Sequence, residues 1–206
     1  VFEEFQRFLP RDPGVNVSEG LGAGIPDVLG LRELLGSFGG SSFAGGLYRV
    51  VHPNDLEVWN RRVVLGYPDY ANRIICFGYD WLGGVYALDF QRSVEDQPGV
   101  LMFEPGSGES FQVPCNLVTF HDSGLRQFGE AALRVPLLKS WLGSGGTRPA
   151  ITECVGYKVP LFLNGKDTVE NLELSDLDVY WHITGQLISQ VRGLPPGTPV
   201  RIRKPA

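Results

Sequence analysis

The sequence predicts an α+β fold, a central antiparallel β-sheet of meander type with helices packed against it. Four strand-like runs, at residues 73–79, 84–90, 100–104 and 110–113, follow one another across connections too short for a parallel crossover, which needs about a dozen residues or more. Segments whose apolar residues recur at helical spacing flank this block on both sides. Glycine (27 residues) and proline (15) are abundant, which favours turns and short elements over long helices.

In chain order, Val1, Phe2, Phe5, Phe8 and Leu9 share one face of a helix over 1–9, which Pro10 ends. Residues 14–24 are glycine-rich and read as a loop. After Pro26, Asp27 caps a helix running through Leu35, with Val28, Leu31, Leu34 and Leu35 inward, and Gly39 and Gly40 stop it. The β-branched and aromatic run 47–51 reads as a strand. Pro53, Asn54 and Asp55 open the next helix, where Leu56, Trp59, Val63 and Val64 fall at helical spacing. The meander follows, with connections at 81–83, 91–99 and 105–108.

Beyond it, 116–121 makes a helical turn, and Asp122 or Ser123 caps a segment reaching Trp141. Gly129 and Pro136 interrupt that segment, so a kink or two pieces are expected. A loop at 143–146, an extended segment over 157–163 broken at Pro160, and a strand over 170–174 lead to the clearest helix in the chain. It begins at Ser175, which with Asp178 fits a capping pattern, and Asp176 suits the positive end of the helix dipole. Leu177, Tyr180, Trp181, Thr184, Leu187, Ile188 and Val191 form its inward stripe, Arg192 suits its negative end, and Gly193 with Pro195 and Pro196 terminates it. A strand over 200–203 completes the expectation. One domain spans 1–206, with a helical N-terminal extension (1–36), a core (37–192) and a C-terminal strand and tail (193–206).

The totals exclude several functions. A formal charge of −5 argues against nucleic-acid binding, which needs a lysine and arginine excess. No apolar run approaches the 18 or more residues that span a bilayer, so no membrane partner is expected. The first residues read as an amphipathic helix with two glutamates rather than a basic leader before an apolar stretch, so a cytoplasmic address is expected. Cys76, Cys115 and Cys154 are odd in number and far apart, which fits neither a disulfide framework nor a zinc site.

No catalytic or metal constellation stands out, and no cofactor is expected. His52, His121 and His182 lie in separate segments outside any ligand pattern. The pair His121–Asp122 is half of a conceivable triad, but no activated serine or cysteine accompanies it, so a hydrolase is a distant third reading. The glycine clusters at 20–24 and 36–46 lack the G-x-G-x-x-G pattern and a phosphate-binding lysine. Three local features remain. Asp80 and Trp81 sit at the tight turn of 77–83, where an aromatic pair around a carboxylate is either an exposed recognition tip or a turn folded onto the core. Asp167, Glu170, Glu173, Asp176 and Asp178 form an acidic run with no cation among them, which is either a binding face or a solvated rim. Arg192, Arg201, Arg203 and Lys204 concentrate positive charge in the tail.

Read together, Gly45–Arg49 (Gly-Gly-Leu-Tyr-Arg), Phe77–Gly83, Phe103–Glu109, 116–121 and the stretch from Cys154 through Asn171-Leu172-Glu173 to Tyr180-Trp181 and Gly185-Gln186-Leu187 resemble one family. The ordered set is similar to the C-terminal domain of bacterial type VI secretion immunity proteins that protect against DNase effectors. More distantly it resembles the SUKH superfamily of immunity proteins in polymorphic toxin systems. The resemblance covers roughly residues 37–192, and its specificity lies in order and spacing rather than in a catalytic fingerprint. It implies a SUKH-like α+β fold and a protein that binds and neutralises a cognate toxin made by the same cell, a nuclease among the candidates. Occlusion is the expected mechanism, since an acidic surface can mimic the phosphates a nuclease cleft expects. The acidic run Asp167, Glu170, Glu173, Asp176 and Asp178 is the first candidate contact, with Asp80, Trp81, Glu104 and Glu109 second, and Trp81 is the candidate anchor. The alternative is a non-enzymatic scaffold or regulatory module of the same fold with no toxin partner.

Overall fold

Six strands form an antiparallel sheet in strict sequence order: β1 (Ser42–Phe43), β2 (Tyr48–Val50), β3 (Ile74–Asp80), β4 (Val85–Val94), β5 (Gln97–Glu104) and β6 (Glu109–Asn116). The computed structural model describes residues 1–14 and 24–194, so the strand expected at 200–203 and most of the 14–24 loop lie outside the described residues. The meander is as expected from its short connections, extended at one edge by β1 and β2.

Both faces of the central strands are covered, so alternate residues feed two separate cores. Phe77, Tyr86, Leu88 and Val100 point into one, with Tyr48 and Val50 of β2. Cys76, Tyr79, Val85, Ala87, Leu101 and Phe103 point into the other. A bulge in β3 between Cys76 and Gly78 shifts its register against β4. Gly78 is required there because a Cβ would lie 2.2 Å from the Tyr48 hydroxyl crossing beneath it.

The first core is closed by α1 (Glu3–Phe8), α2 (Leu31–Phe38) and the segment that follows β6. In α1 the inward face is narrower than the spacing implied: Phe2, Phe5 and Leu9 are buried, while Val1 and Phe8 are exposed. Asp27 does not cap α2. The helix starts at Leu31 behind Gly30, whose φ of +79° is the left-handed conformation glycine adopts freely. After β6, Asn116 and Thr119 form a reciprocal capping box for α4 (Leu117–Thr119), which runs through a π-helical stretch (Phe120–Gly124) into α5 (Leu125–Ala132). Asp122 therefore caps nothing in its own segment. Its carboxylate instead accepts the amides of Phe2 and Phe5, both at 3.4 Å, at the start of α1. The expected break falls at Arg134, at φ +52°, and α6 (Val135–Gly143) begins beyond it with Pro136 in its first turn.

The second core is closed by α3 (Leu56–Gly66), opened as expected by a 3₁₀ turn at Pro53–Asp55, and by α7 (Leu177–Val191). The stripe read for α7 is buried as expected except at Val191, and the cap is Asp176 rather than Ser175, its carboxylate accepting the Val179 amide at 3.0 Å. A two-stranded antiparallel sheet, β7 (Glu153–Tyr157) with β8 (Leu172–Asp176), precedes α7. The extended segment expected at 157–163 is instead a strand that ends at Tyr157, followed by a 3₁₀ turn at Leu161–Leu163.

These parts meet at the β3–β4 turn. The Trp81 carbonyl accepts the Val155 amide of β7 at 2.8 Å, and the Gly83 carbonyl accepts the Trp181 indole of α7 at 2.9 Å. The loop thus joins both sheets and the longest helix through backbone groups that burial would otherwise leave unsatisfied.

Candidate functional site

Of the expected contact residues, Asp80 and Trp81 are core residues rather than an exposed tip. Trp81 has 0% exposure and its indole nitrogen donates to the Leu133 carbonyl at 2.7 Å. The Asp80 carboxylate folds back over its own turn, one oxygen accepting the Leu82 and Gly84 amides at 2.9 Å each. Its other oxygen lies 3.4 Å from the Tyr86 hydroxyl. Burial pushes the Asp80 carboxyl up to about 7, against the pull of those two amides. The recognition tip is therefore a structural hub with no surface to offer. Reading the turn alone could not separate these outcomes, because the groups that hold Trp81, the Leu133 carbonyl after α5 and Val155 of β7, lie far along the chain.

Glu104 and Asp167 are drawn into one ion-paired network around Arg134, with Asp167 itself exposed. Arg134 reaches Asp167 at 2.5 Å and Glu104 at 3.7 Å, and the Tyr157 hydroxyl donates to Asp167 at 2.7 Å. Partial burial alone would raise Asp167, but the bonds from Tyr157 and Arg134 outweigh it and hold the carboxyl below its ordinary value. Glu109 is exposed at the start of β6, away from the acidic run.

The rest of the run lies in the 3₁₀ turn before β8 (Glu170), along β8 (Glu173, Asp176) and in the first turn of α7 (Asp178). Glu170, Glu173, Asp176 and Asp178 are all exposed. Asp178 pairs with Arg62 of α3, whereas Glu170, Glu173 and Asp176 take part in no ion pair among the described residues. A hydrogen bond from Thr168 holds Glu170 below its ordinary value. The register sets Glu153 directly opposite Asp176, a like-charge cross-strand pair that costs the sheet stability. In order, β7 then β8, the outer edge of β8 has no strand partner among the described residues. Exposed apolar side chains accompany these carboxylates: Leu174 on the strand, and Val179 (55% exposed) and Ile183 (46%) one turn apart on α7.

Beside the β8–α7 junction a recess of about 210 Å³ opens between β8, α3 and the residues before β7. Its floor is the packed pair Trp59 and Tyr79, with ring centroids 4.3 Å apart, and its rim carries His52, Asp55, Asp176 and Asp178. Arg62 lies 4.5 Å above the Trp59 ring while its Nε donates to Asp178 at 2.6 Å. His52 Nδ1 accepts the Asn54 amide at 3.2 Å, which leaves Nε2 to carry the proton of the neutral ring. Among the described residues no three His, Cys, Asp or Glu side chains converge as a metal site would require. Sequence reasoning missed this recess. The spacing of Asp55, Trp59 and Arg62 on one helical face was its local signal, but the opposite wall comes from more than a hundred residues away.

A larger cleft of about 330 Å³ lies beside the last turn of α7, between Tyr67, Tyr70, Phe162 and Ile188. Both of its arginines are engaged, Arg73 by Asp89 at 2.6 and 2.7 Å and Arg192 by Asp69. His121 is fully enclosed. One ring nitrogen bonds the Leu117 carbonyl at 2.8 Å and the other the Tyr48 hydroxyl at 3.0 Å, while Phe2, Phe5, Phe77 and Phe120 surround the ring. Burial pushes it down to about 4. With Asp122 turned to α1, the two residues do not form a catalytic pair.

No family model and no curated protein matches this chain. No helix among the described residues is long and apolar enough to cross a membrane. Among solved structures, the chain is similar to that described as the crystal structure of Atu4351 from Agrobacterium tumefaciens, at 13% identity and a TM-score of 0.61 over 90% of this chain and 89% of that one. At that identity the likeness establishes the shared α+β architecture, a central antiparallel sheet with packed helices.

Proposed function

We propose that this chain is a bacterial immunity protein that binds a cognate secreted toxin in the cytoplasm and blocks it by covering its active or substrate-binding surface. The observation that carries the reading is the edge of β8 with the turn before it, where Glu170, Glu173 and Asp176 are exposed without an ion pair among the described residues, beside exposed Leu174, Val179 and Ile183. Carboxylates of one sign steer a basic partner into contact, and apolar side chains among them supply area to bury once contact is made. A nuclease, whose cleft is basic because it must hold phosphates, is the toxin class this surface suits best. The ordered motifs that resemble immunity domains support the same reading. With Asp80 and Trp81 in the core and Glu104 and Asp167 tied to Arg134, the proposed contact centres on Glu170, Glu173 and Asp176, with the Arg62-paired Asp178 beside them.

Co-expression with the product of a neighbouring toxin gene tests the reading as a whole. Growth is expected to be restored by this chain and the two proteins to co-purify. A chain that neither binds the toxin nor restores growth contradicts the reading, and leaves a scaffold role for the same fold.

A further inference from the structure

The recess beside the acidic edge is already built around one guanidinium. Arg62 lies over Trp59, bonds Asp178, and is only 17% exposed, so flat cation, aromatic ring and carboxylate are already in place where α3 faces the start of α7. Charge on the rim is not balanced by that cation. Asp55 and Asp176 stand on opposite walls, one at the start of α3 and the other at the β8–α7 junction, and neither is ion-paired among the described residues. Glu153, opposite Asp176 in the register, adds a further negative charge beside the same rim. Like charges held in a cross-strand pair repel until a cation arrives between or beside them.

Shape narrows the occupant further. A volume of about 210 Å³ is below the roughly 300–1,000 Å³ typical of small-molecule sites and suits one long side chain. Asp55 and Asp176 sit on different elements, and the planar five-donor fork of a guanidinium reaches two separate carboxylates at once, whereas the lysine ammonium gathers its three donors on one compact nitrogen. The low exposure of Trp59 and Tyr79 supplies a partly desolvated floor, where charge-assisted hydrogen bonds are stronger than on an open surface.

We propose that this recess receives an arginine side chain of the basic partner, held between Asp55 and Asp176 over the Trp59–Tyr79 floor. The proposal rests on the immunity reading for the identity of that partner, and it makes the recess the anchor of an interface whose acidic edge supplies steering.

The test titrates the full chain with Nα-acetyl-arginine methylamide and, as an uncharged analogue of the same shape, Nα-acetyl-citrulline methylamide, followed by ¹⁵N NMR. Saturable shifts at the Trp59 indole and the Gly40 amide are expected with the arginine probe and not with citrulline. The double variant Asp55→Asn/Asp176→Asn is expected to weaken binding of the arginine probe about tenfold or more, as loss of charge-assisted hydrogen bonds implies. Asparagine at 176 keeps the cap of α7, so the variant removes charge without removing the helix start. Equal shifts with both probes, or an unweakened double variant, overturn the proposal. Affinity for the toxin, measured in parallel, separates the two claims. A toxin that binds wild type and the double variant alike defeats the recess and spares the immunity reading. Arginine binding with no toxin binding supports the recess and defeats that reading.

Discussion

Trp81→Ala is expected to lower folding stability by about 3–5 kcal/mol. The indole is fully buried where both sheets and α7 meet, so truncation leaves a cavity that three separate elements would have to close. It also strips the Leu133 carbonyl of its indole donor, in a residue that is itself buried. Trp81→Phe keeps most of the volume and loses the hydrogen bond, so about 1–3 kcal/mol is expected for it. Urea denaturation of the two variants measures both. A loss under about 1 kcal/mol for Trp81→Ala, the range of ordinary surface substitutions, would place the indole outside the core and return it to the binding face.

Asp80 and His121 are expected to give opposite pH dependences that offset each other. His121 sits at about 4 in the folded chain against an ordinary 6.5, so its contribution is complete above 6.5 and is lost as pH falls through that window. A shift of that size corresponds to about 3 kcal/mol. Asp80 sits at about 7 against an ordinary 3.8, so its contribution is complete below 3.8 and is lost as pH rises through 7. Between about pH 4 and 6.5 the folded chain keeps a proton on Asp80 while the unfolded chain keeps one on His121, and the pair adds little net slope. Asp80→Asn removes one side of this balance. Asparagine can still accept the Leu82 and Gly84 amides through its single oxygen, since both bond the same atom of Asp80, and its amide can donate to the Tyr86 hydroxyl. Relative to wild type, this variant is expected to lose about 3 kcal/mol on going from pH 6.5 to 4. Chemical denaturation of both proteins across that range reads the difference. Parallel curves would contradict a buried, protonated Asp80.

The sequence disclosed the elements whose cause is local. The meander follows from the short connections between its strands, and α7 follows from a long stripe, an acidic start and a glycine stop. What it did not disclose depends on distant partners or unusual backbone. The β4–β5 hairpin turns at Glu95 and Asp96, both at positive φ, where the sequence offers neither the asparagine nor the glycine that usually mark such a turn. β1 is two residues long and exists because β2 and Asp12 hold it, Asp12 accepting the amides of Gly45 and Gly46 and the Ser42 hydroxyl. The same limit governed the site. Composition and charge picked out the acidic run, but only the packing shows that Asp167 and Glu104 answer to Arg134, that Glu170, Glu173 and Asp176 do not, and that Asp80 and Trp81 are enclosed.

On the proposed reading the unpaired carboxylates at the β8 edge hold a basic toxin, a claim that the affinity of a charge-reversal variant checks. Glu170→Lys/Glu173→Lys changes exposed side chains that form no ion pair among the described residues, so the fold is expected to stay within about 0.5 kcal/mol of wild type. Calorimetric titration of wild type and this variant with the neighbouring toxin is expected to show affinity falling about a hundredfold or more, with a weaker salt dependence. Equal affinity and equal salt dependence for the two proteins would contradict the claim.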